Sequence, residues 1–145
     1  MRLTNFTDYC LHVLTYVGLK DGELATIDEL AERYGINRNH VVKVVFRLGQ
    51  LGYLETIRGK GGGVRLAKDP AEVNLATLVR QTEDNLAIVE CFREEGCGCV
   101  IEPACVLRRA LHEALEAFLA TLGRYTLADL LTPGRSLRRL LRPTG

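Results

Sequence analysis

The sequence predicts a mainly α-helical protein with one small β-hairpin, arranged as a winged helix-turn-helix head followed by a long C-terminal helix. Three observations predict this fold. Two short helical patterns are joined by a turn of about four residues, a glycine-rich hairpin pattern follows over residues 53–67, and an apolar stripe at helical spacing follows Pro103. The chain has 145 residues, of which 47% are hydrophobic and 26% charged, as is typical of a globular protein.

The first predicted helix spans residues 4–19, where apolar side chains recur at helical spacing. Thr4 or Thr7 is suited to cap its N-terminus, and Gly22 ends the region. Asp8 lies in the first turn, where a carboxylate also suits the positive end of the helix dipole.

The second and third helices carry clear boundary signals. Thr26 and Glu29 have the spacing of a capping box, and Gly35 ends the second helix after about two turns. Asn37 is a good N-cap for the third helix, which runs to Leu51. A short helix, a turn and a second helix with a polar N-terminus form the helix-turn-helix plan, whose second helix enters the major groove of DNA.

A β-hairpin is predicted next, with strands over residues 53–58 and 64–67 and four glycines in the turn between them. The turn lacks the Gly-Lys-Ser/Thr ending of a nucleotide-binding loop, so a wing that contacts DNA phosphates is the better interpretation. Residues 36–68 hold seven Lys/Arg and one acid, whereas residues 69–105 hold two Arg and eight acids. We therefore expect double-stranded DNA as a partner, contacted by the polar residues of the third helix and the wing: Asn37, Arg38, Asn39, His40, Lys43, Arg47, Arg58, Lys60 and Arg65.

The C-terminal part is predicted to be helical and to join two copies of the chain. Asn74 is suited to cap a fourth helix, and Pro103 fits the first turn of a fifth that reaches about Leu122. The apolar stripe of the fifth helix is about 30 Å long, so one half of it is expected to face its own head and the other a second copy. Residues 125–131 add one or two helical turns, and the basic tail after Pro133 is expected to be loosely ordered.

The resulting division is a DNA-binding domain over residues 1–82, a cysteine-rich loop over residues 83–105, and a dimerisation helix with a basic tail over residues 106–145. No run of about 18 apolar residues occurs, and the N-terminus has no signal-peptide pattern, so we expect a cytoplasmic chain without a membrane partner. No nucleophile–base pair and no cofactor fingerprint is apparent, so an enzyme is not predicted.

Four of the five cysteines lie within fifteen residues, at Cys91, Cys97, Cys99 and Cys105. In a reducing compartment such a group indicates metal binding or thiol chemistry rather than structural disulfides. Three chemistries remain open on spacing alone: a four-thiolate zinc site, a thiol–disulfide switch at Cys97 and Cys99, and an iron–sulfur cluster held by three thiolates and one other group.

The chain resembles the Rrf-type winged-helix regulators along nearly its whole length. The matching motifs are LTNFTDY at residues 3–9, YGINRNHVVK at 34–43, LGYLETIRGKGGGVRL at 51–66, CVIEPAC at 99–105 and YTLADL at 125–130. The resemblance implies a homodimeric repressor that binds a palindromic operator while it holds an iron–sulfur cluster, and whose signal in the matching branch is nitric oxide.

The resemblance also implies the ligands of the cluster. The family pattern maps onto Cys91, Cys99 and Cys105, with Cys97 as the alternative to Cys99, and it places Asp8 of the partner subunit as the fourth ligand. A 4Fe–4S cluster is implied, with 2Fe–2S as the alternative. Another branch uses a histidine three residues after the last cysteine, but here that position is Arg108. Sensing of iron–sulfur or redox status, or a zinc or thiol switch, is the alternative function.

Overall fold

The computed structural model describes residues 1–143, which form seven α-helices and one two-stranded antiparallel sheet. In chain order the elements are α1 (Asn5–Leu19), α2 (Ile27–Tyr34), α3 (Arg38–Gln50), β1 (Leu54–Ile57), β2 (Gly63–Leu66), α4 (Leu75–Thr82), α5 (Val106–Leu122), α6 (Leu127–Leu130) and α7 (Gly134–Leu140). Short 3-10 turns lie at Pro70–Glu72, Glu90–Phe92 and Glu102–Ala104. The predicted fold class is confirmed. Among residues 1–143, no helix is both long enough and apolar enough to cross a bilayer.

Helix α1 lies at the centre of the head. Its Val13 and Leu14 are fully buried and pack with the apolar face of α3, from which Val41, Val44 and Leu48 are fully buried as well. A fully buried leucine or valine contributes roughly 1.5–3 kcal/mol relative to an exposed one, so this contact fixes the orientation of α3. The opposite face of α3 remains open to solvent.

The helix starts agree with the caps that the sequence predicts. The Thr4 hydroxyl accepts a hydrogen bond from the Thr7 amide, and Thr26 and Glu29 form a complete capping box. Asn37 caps α3 by accepting from the Asn39 amide at 2.8 Å, and Asn74 caps α4. Each cap satisfies backbone donors that a helix start leaves without a partner.

The hairpin is joined to the head through one extra bridge. Leu54 pairs with Leu66 and Ile57 with Gly63, and the loop residue Ala25 forms two backbone hydrogen bonds with Val64 at 2.8 and 2.9 Å. The wing is therefore fixed beside α3 rather than attached only through its own two strands.

Two boundary predictions were wrong. Pro103 lies in the 3-10 turn Glu102–Ala104, and α5 begins only at Val106, because the Cys105 sulfur accepts the Arg108 amide at 3.4 Å and acts as the N-cap. The second error concerns the basic tail, which is ordered in the part that the structure describes. It forms α7, and Arg138 donates two hydrogen bonds, of 3.1 and 3.3 Å, to the Leu19 carbonyl at the end of α1. Residues 144–145 of the predicted tail lie outside the described residues.

Candidate nucleic-acid interface and metal centre

Helix α3 and its N-cap Asn37 carry six of the nine predicted DNA-contacting residues, but most of these six have partners within the chain. Arg38 donates to Asp28 at 2.7 Å, and Arg47 donates to the Gln81 carbonyl at 3.3 Å. Both contacts are exposed to solvent. An exposed ion pair is worth about 0–1 kcal/mol, so Arg38 can exchange Asp28 for a phosphate at little cost in free energy.

Two residues of α3 are the best placed for base contacts. Asn39 and Lys43 are exposed, and among residues 1–143 neither side chain has a hydrogen-bond or ion-pair partner. By contrast, the Asn37 side-chain oxygen is used in the cap, and the His40 ring stacks on Tyr9 with centroids 6.0 Å apart. An unpaired amide and an unpaired ammonium can engage base edges in the major groove without losing an internal contact.

The wing presents its cations around a tip that only glycine allows. Arg65 pairs with Glu55 across the strands at 3.0 Å, whereas Arg58 and Lys60 flank the turn. A Cβ at Gly62 would lie 2.2 Å from the Ile57 carbonyl oxygen, so no other residue fits without moving the backbone. This tight turn fixes the path of the backbone that carries Arg58 and Lys60.

The four clustered cysteines are free thiols on the segment that leads into α5. Cys91 lies in the 3-10 turn Glu90–Phe92, Cys105 caps α5, and Gly96 and Gly98 adopt positive φ angles of 71° and 61° on either side of Cys97. L-residues rarely adopt such angles, so these two glycines set the path of the loop.

The thiol of Cys97 has a shifted pKa. A backbone hydrogen bond at Cys99 lowers the pKa of Cys97, but desolvation and the charges of Cys91, Glu102 and Cys99 outweigh it and raise the pKa above its usual value. The fifth cysteine, Cys10, is fully buried in the head, where desolvation raises the pKa of its thiol to about 12. Cys10 is therefore an unreactive core residue.

The donor set of this segment fits a sulfur-bound iron centre, although one chain does not bring a complete set together. Among residues 1–143, no three His, Cys, Asp or Glu side chains converge closely enough to hold a single metal ion. The ligands of a cluster bind separate irons, so they stand farther apart than the ligands of one ion. Four free thiols, each at least partly exposed, beside two glycines that let the backbone turn are suited to this chemistry.

Asp8 lies on the surface of the head, beside His12 of its own chain, and the described structure does not bring it to the cysteines. Its side chain is 57% exposed on α1, and its Oδ1 lies 3.7 Å from Nε2 of His12. The His12 ring stacks in parallel on Tyr34, with centroids 4.7 Å apart. The carboxylate thus faces solvent, where a group from another chain can reach it.

The face of α5 that lies away from the head is apolar and exposed. Only Leu119 of this helix is fully covered by the chain itself. The exposed apolar face comprises Val106, Leu107, Ala110, Ala114 and Ala117. As expected for a stripe divided between the head and an open face, Leu119 is covered and Leu107 is 64% exposed. The exposed face also includes Ala110 and Ala117, which the predicted stripe did not contain.

Comparison with known proteins identifies the family. A family model named Rrf2 and described as an iron-dependent transcriptional regulator matches residues 3–133. The chain belongs to the Rrf2 family. It is 54% identical over 143 residues to the HTH-type transcriptional regulator NsrR of Geobacillus kaustophilus, covering 98% of this chain and 97% of that one. It is 51% identical to NsrR of Bacillus subtilis, covering 98% of each chain.

Two solved structures of low sequence identity show the same fold. T. potens IscR matches with a TM-score of 0.73 at 18% identity, covering 100% of this chain and 94% of that chain. The oxidised form of Staphylococcus aureus CymR matches with a TM-score of 0.71 at 20% identity, covering 91% and 97%. The resemblance that the motifs indicated is confirmed, and the head with its wing and long C-terminal helix is the architecture of this Rrf2 chain.

The sequence analysis did not identify two exposed apolar residues on α3, Val42 and Phe46. Both lie on α3 but outside its buried stripe, and their side chains are 38% and 66% exposed. The helical periodicity could have identified them, because neither residue lies on the same side of the helix as the buried positions Val41, Val44 and Leu48.

A substitution in the wing gives a first prediction for this Rrf2 protein. Gly62→Ala is expected to displace the tip of the wing, because the new Cβ would clash with the Ile57 backbone. The loss of phosphate contacts is expected to lower the affinity of the protein for a DNA duplex roughly tenfold. Titration of a labelled duplex by fluorescence anisotropy measures the change.

The same chemical change elsewhere in the head serves as the control. At Gly49 in α3 the nearest atom to a new Cβ is the Leu54 carbonyl oxygen at 4.0 Å, an ordinary contact. Gly49→Ala is expected to raise stability by roughly 0.5–1 kcal/mol and to leave duplex affinity within about twofold. Equal duplex affinities for Gly62→Ala and the wild type would contradict the wing assignment.

Proposed function

We propose that this chain is a homodimeric transcriptional repressor that binds a palindromic operator while it holds an iron–sulfur cluster, and that nitric oxide releases it. One observation carries the proposal. Four free thiols border α5, and an exposed apolar face of α5 provides a surface for a second copy. The high identity to NsrR regulators over nearly the whole chain supports the same conclusion.

The proposed ligands are Cys91, Cys99 and Cys105 of one chain, with Cys97 as the alternative to Cys99, and Asp8 of the partner subunit. Thiolates are the soft ligands that iron–sulfur clusters require, whereas a carboxylate oxygen is a hard and more weakly held ligand. A 4Fe–4S cluster is the favoured form, with 2Fe–2S as the alternative. When bound, the cluster supplies an iron atom that nitric oxide can bind.

The chain's own residues provide the switch. While Asp8 of the partner subunit is bound, the cysteine segment of one chain is tied to α1 of the other, which packs directly on α3. The two recognition helices are then held at one separation, as a palindromic operator requires. A released Asp8 returns to its contact with His12 at 3.7 Å, and the tie between the chains is lost. Loss of simultaneous engagement of two half-sites lowers affinity by about 10²–10⁴-fold.

Replacement of Asp8 tests the fourth ligand. Asp8→Ala is expected to retain the three thiolates and most of the iron and sulfide, yet to slow nitric-oxide bleaching of the visible absorbance roughly tenfold. Stopped-flow absorbance on anaerobically purified protein measures the rate, and native mass spectrometry counts the irons.

His12→Ala is the matched control, because it removes the neighbour of Asp8 within its own chain and leaves the carboxylate in place. This variant is expected to bleach at close to the wild-type rate. If Asp8→Ala bleaches as fast as the wild type and binds DNA as tightly, Asp8 is not a ligand.

A thiol switch is the second candidate function, because Cys97 and Cys99 are free thiols separated by a single glycine. The two candidates differ in composition, and an anaerobic count of iron, sulfide and zinc separates them. Iron and sulfide in comparable amounts support the cluster. A metal-free protein whose duplex binding responds to thiol oxidants supports the switch, and one zinc per chain supports a four-thiolate site.

A further inference from the structure

Two apolar side chains, Val42 and Phe46, are exposed in the middle of the polar outer face of α3. They are 38% and 66% exposed, and they lie one helical turn apart, so their side chains are neighbours on the helix surface. Phe46 borders a groove that Phe6 and Gln81 also line, but two thirds of its side chain remains exposed, so the head covers this apolar surface only in part.

The helix geometry places this pair within the DNA-facing surface. At 3.6 residues per turn, Phe46 lies about 20° around the helix from Asn39, which is one of the two residues free for base contacts. Lys43 follows Val42 directly and lies on the same exposed side. The inference below rests on the proposed function, in which this side of α3 enters the major groove.

The charges around the pair indicate what covers it. Lys43 and Arg47 flank Phe46 along the helix, and Arg38 and His40 lie at the N-terminal end of the same face, whereas Glu83 and Asp84 line the groove that Phe46 borders on its other side. Residues 36–68 hold seven Lys/Arg and one acid, so the surface is complementary to a polyanion rather than to an apolar protein surface. In the major groove of DNA, the apolar group available for contact is the C5 methyl of thymine.

We propose that Val42 and Phe46 read the methyl groups of thymines in each half-site, and that they set the preference of this regulator for A·T pairs at those positions. The two residues are about 6 Å apart along the helix axis, at a rise of 1.5 Å per residue. Successive base pairs are about 3.4 Å apart, so the two thymines lie no more than about two base pairs from each other. Asn39 and Lys43 contact polar base edges or phosphates beside them.

Removal of single methyl groups from the DNA tests this assignment. A binding duplex is selected from a randomised library with the anaerobically purified full chain, and each thymine is then replaced in turn by deoxyuridine, which lacks only the methyl. The wild type is expected to lose about fourfold in affinity per methyl at two positions in each half-site, and to be insensitive elsewhere.

The protein variants assign the effect to residues. Phe46→Ala and Val42→Ala are expected to fold normally, because both positions are exposed on the helix and alanine is a good helix former. Each is expected to bind the thymine duplex more weakly and to lose discrimination at one of the two positions. Lys43→Ala is the control, because it is expected to weaken binding to the thymine and deoxyuridine duplexes equally.

Each outcome supports or overturns a distinct claim. If the wild type does not distinguish thymine from deoxyuridine while Asn39→Ala and Lys43→Ala lose affinity, the methyl reading is wrong and the groove assignment stands. If discrimination persists in Phe46→Ala and Val42→Ala, these residues are not the readers. If Asn39→Ala and Lys43→Ala also bind as the wild type does, the placement of α3 in the groove has failed. A change in native mass with unchanged DNA binding would show that Phe46 contacts a protein instead.

Discussion

Cys105→Ser is expected to lose its iron and its DNA affinity together, whereas Cys97→Ser keeps both. Cys105 accepts the Arg108 amide as the N-cap of α5, and serine is among the best N-cap residues, so the helix start is preserved. A serine hydroxyl is not ionised at neutral pH and is a poor ligand for iron, so the change removes one soft ligand without removing the cap. Affinity for the selected duplex should fall by on the order of 100-fold.

Cys97→Ser is the matched control, because Cys97 lies in the same loop but outside the three-thiolate set that is proposed. It is expected to keep iron and sulfide and to bind the duplex within about twofold of the wild type. Cys99→Ser completes the comparison and should behave like Cys105→Ser. If Cys97→Ser loses its iron and Cys99→Ser retains it, Cys97 is the middle ligand. Full iron content in Cys105→Ser would contradict the proposed metal centre.

A double substitution on α5, Ala110→Glu with Ala114→Glu, is expected to convert the proposed dimer to a monomer. Both alanines lie on the exposed apolar face, which includes Leu107 at 64% exposure. In a symmetric dimer this face of α5 would pack against the same face of the second subunit. The new carboxylates of one subunit would then be buried against those of the other, and like charges would repel. Loss of the second head should lower operator affinity by about 10²–10⁴-fold.

Ala120→Glu offers the control, because this alanine is also exposed on α5 but lies nearer the charged side that includes Arg109 and Glu113. It is expected to remain dimeric and to bind the duplex normally. Sedimentation velocity measures the mass of the assembly, and fluorescence anisotropy measures its affinity for the duplex. A dimeric double variant with unchanged affinity would show that the two copies pair through another surface.

Local signals accounted for most of the head. The caps at Thr4, Thr26, Asn37 and Asn74 are formed within three residues of the amides that they accept, so sequence spacing alone predicts them. The wing was predictable for the same reason, since its strands and its glycine turn are adjacent in the chain.

The two errors have different physical causes, one distant in the chain and one local. α7 was expected to be loose, but it is held by Arg138, which donates to a carbonyl 119 residues earlier in the chain. The α5 boundary moved because proline suits a 3-10 turn as well as a helix start, and because the Cys105 sulfur then provides the cap. Sequence spacing carries no information about the Arg138 contact, whereas the Cys105 cap is local and was missed because cysteine is not among the preferred N-cap residues.

The candidate site was predictable in composition but not in geometry. Residue types and spacing placed the polar residues of α3 together, but they did not show that Arg38 pairs with Asp28 or that Arg65 pairs with Glu55, which leaves Asn39 and Lys43 the least engaged. The link between Asp8 and the cysteines involves a second chain, and it stays a prediction that rests on the family resemblance.

The most direct test compares the metal-loaded and metal-free forms of the same anaerobic preparation on one selected duplex. The loaded form is expected to bind on the order of 100-fold more tightly, and addition of nitric oxide should bring its affinity to that of the metal-free form. Equal affinities for the two forms would contradict the claim that a sulfur-bound iron centre between the chains controls DNA binding.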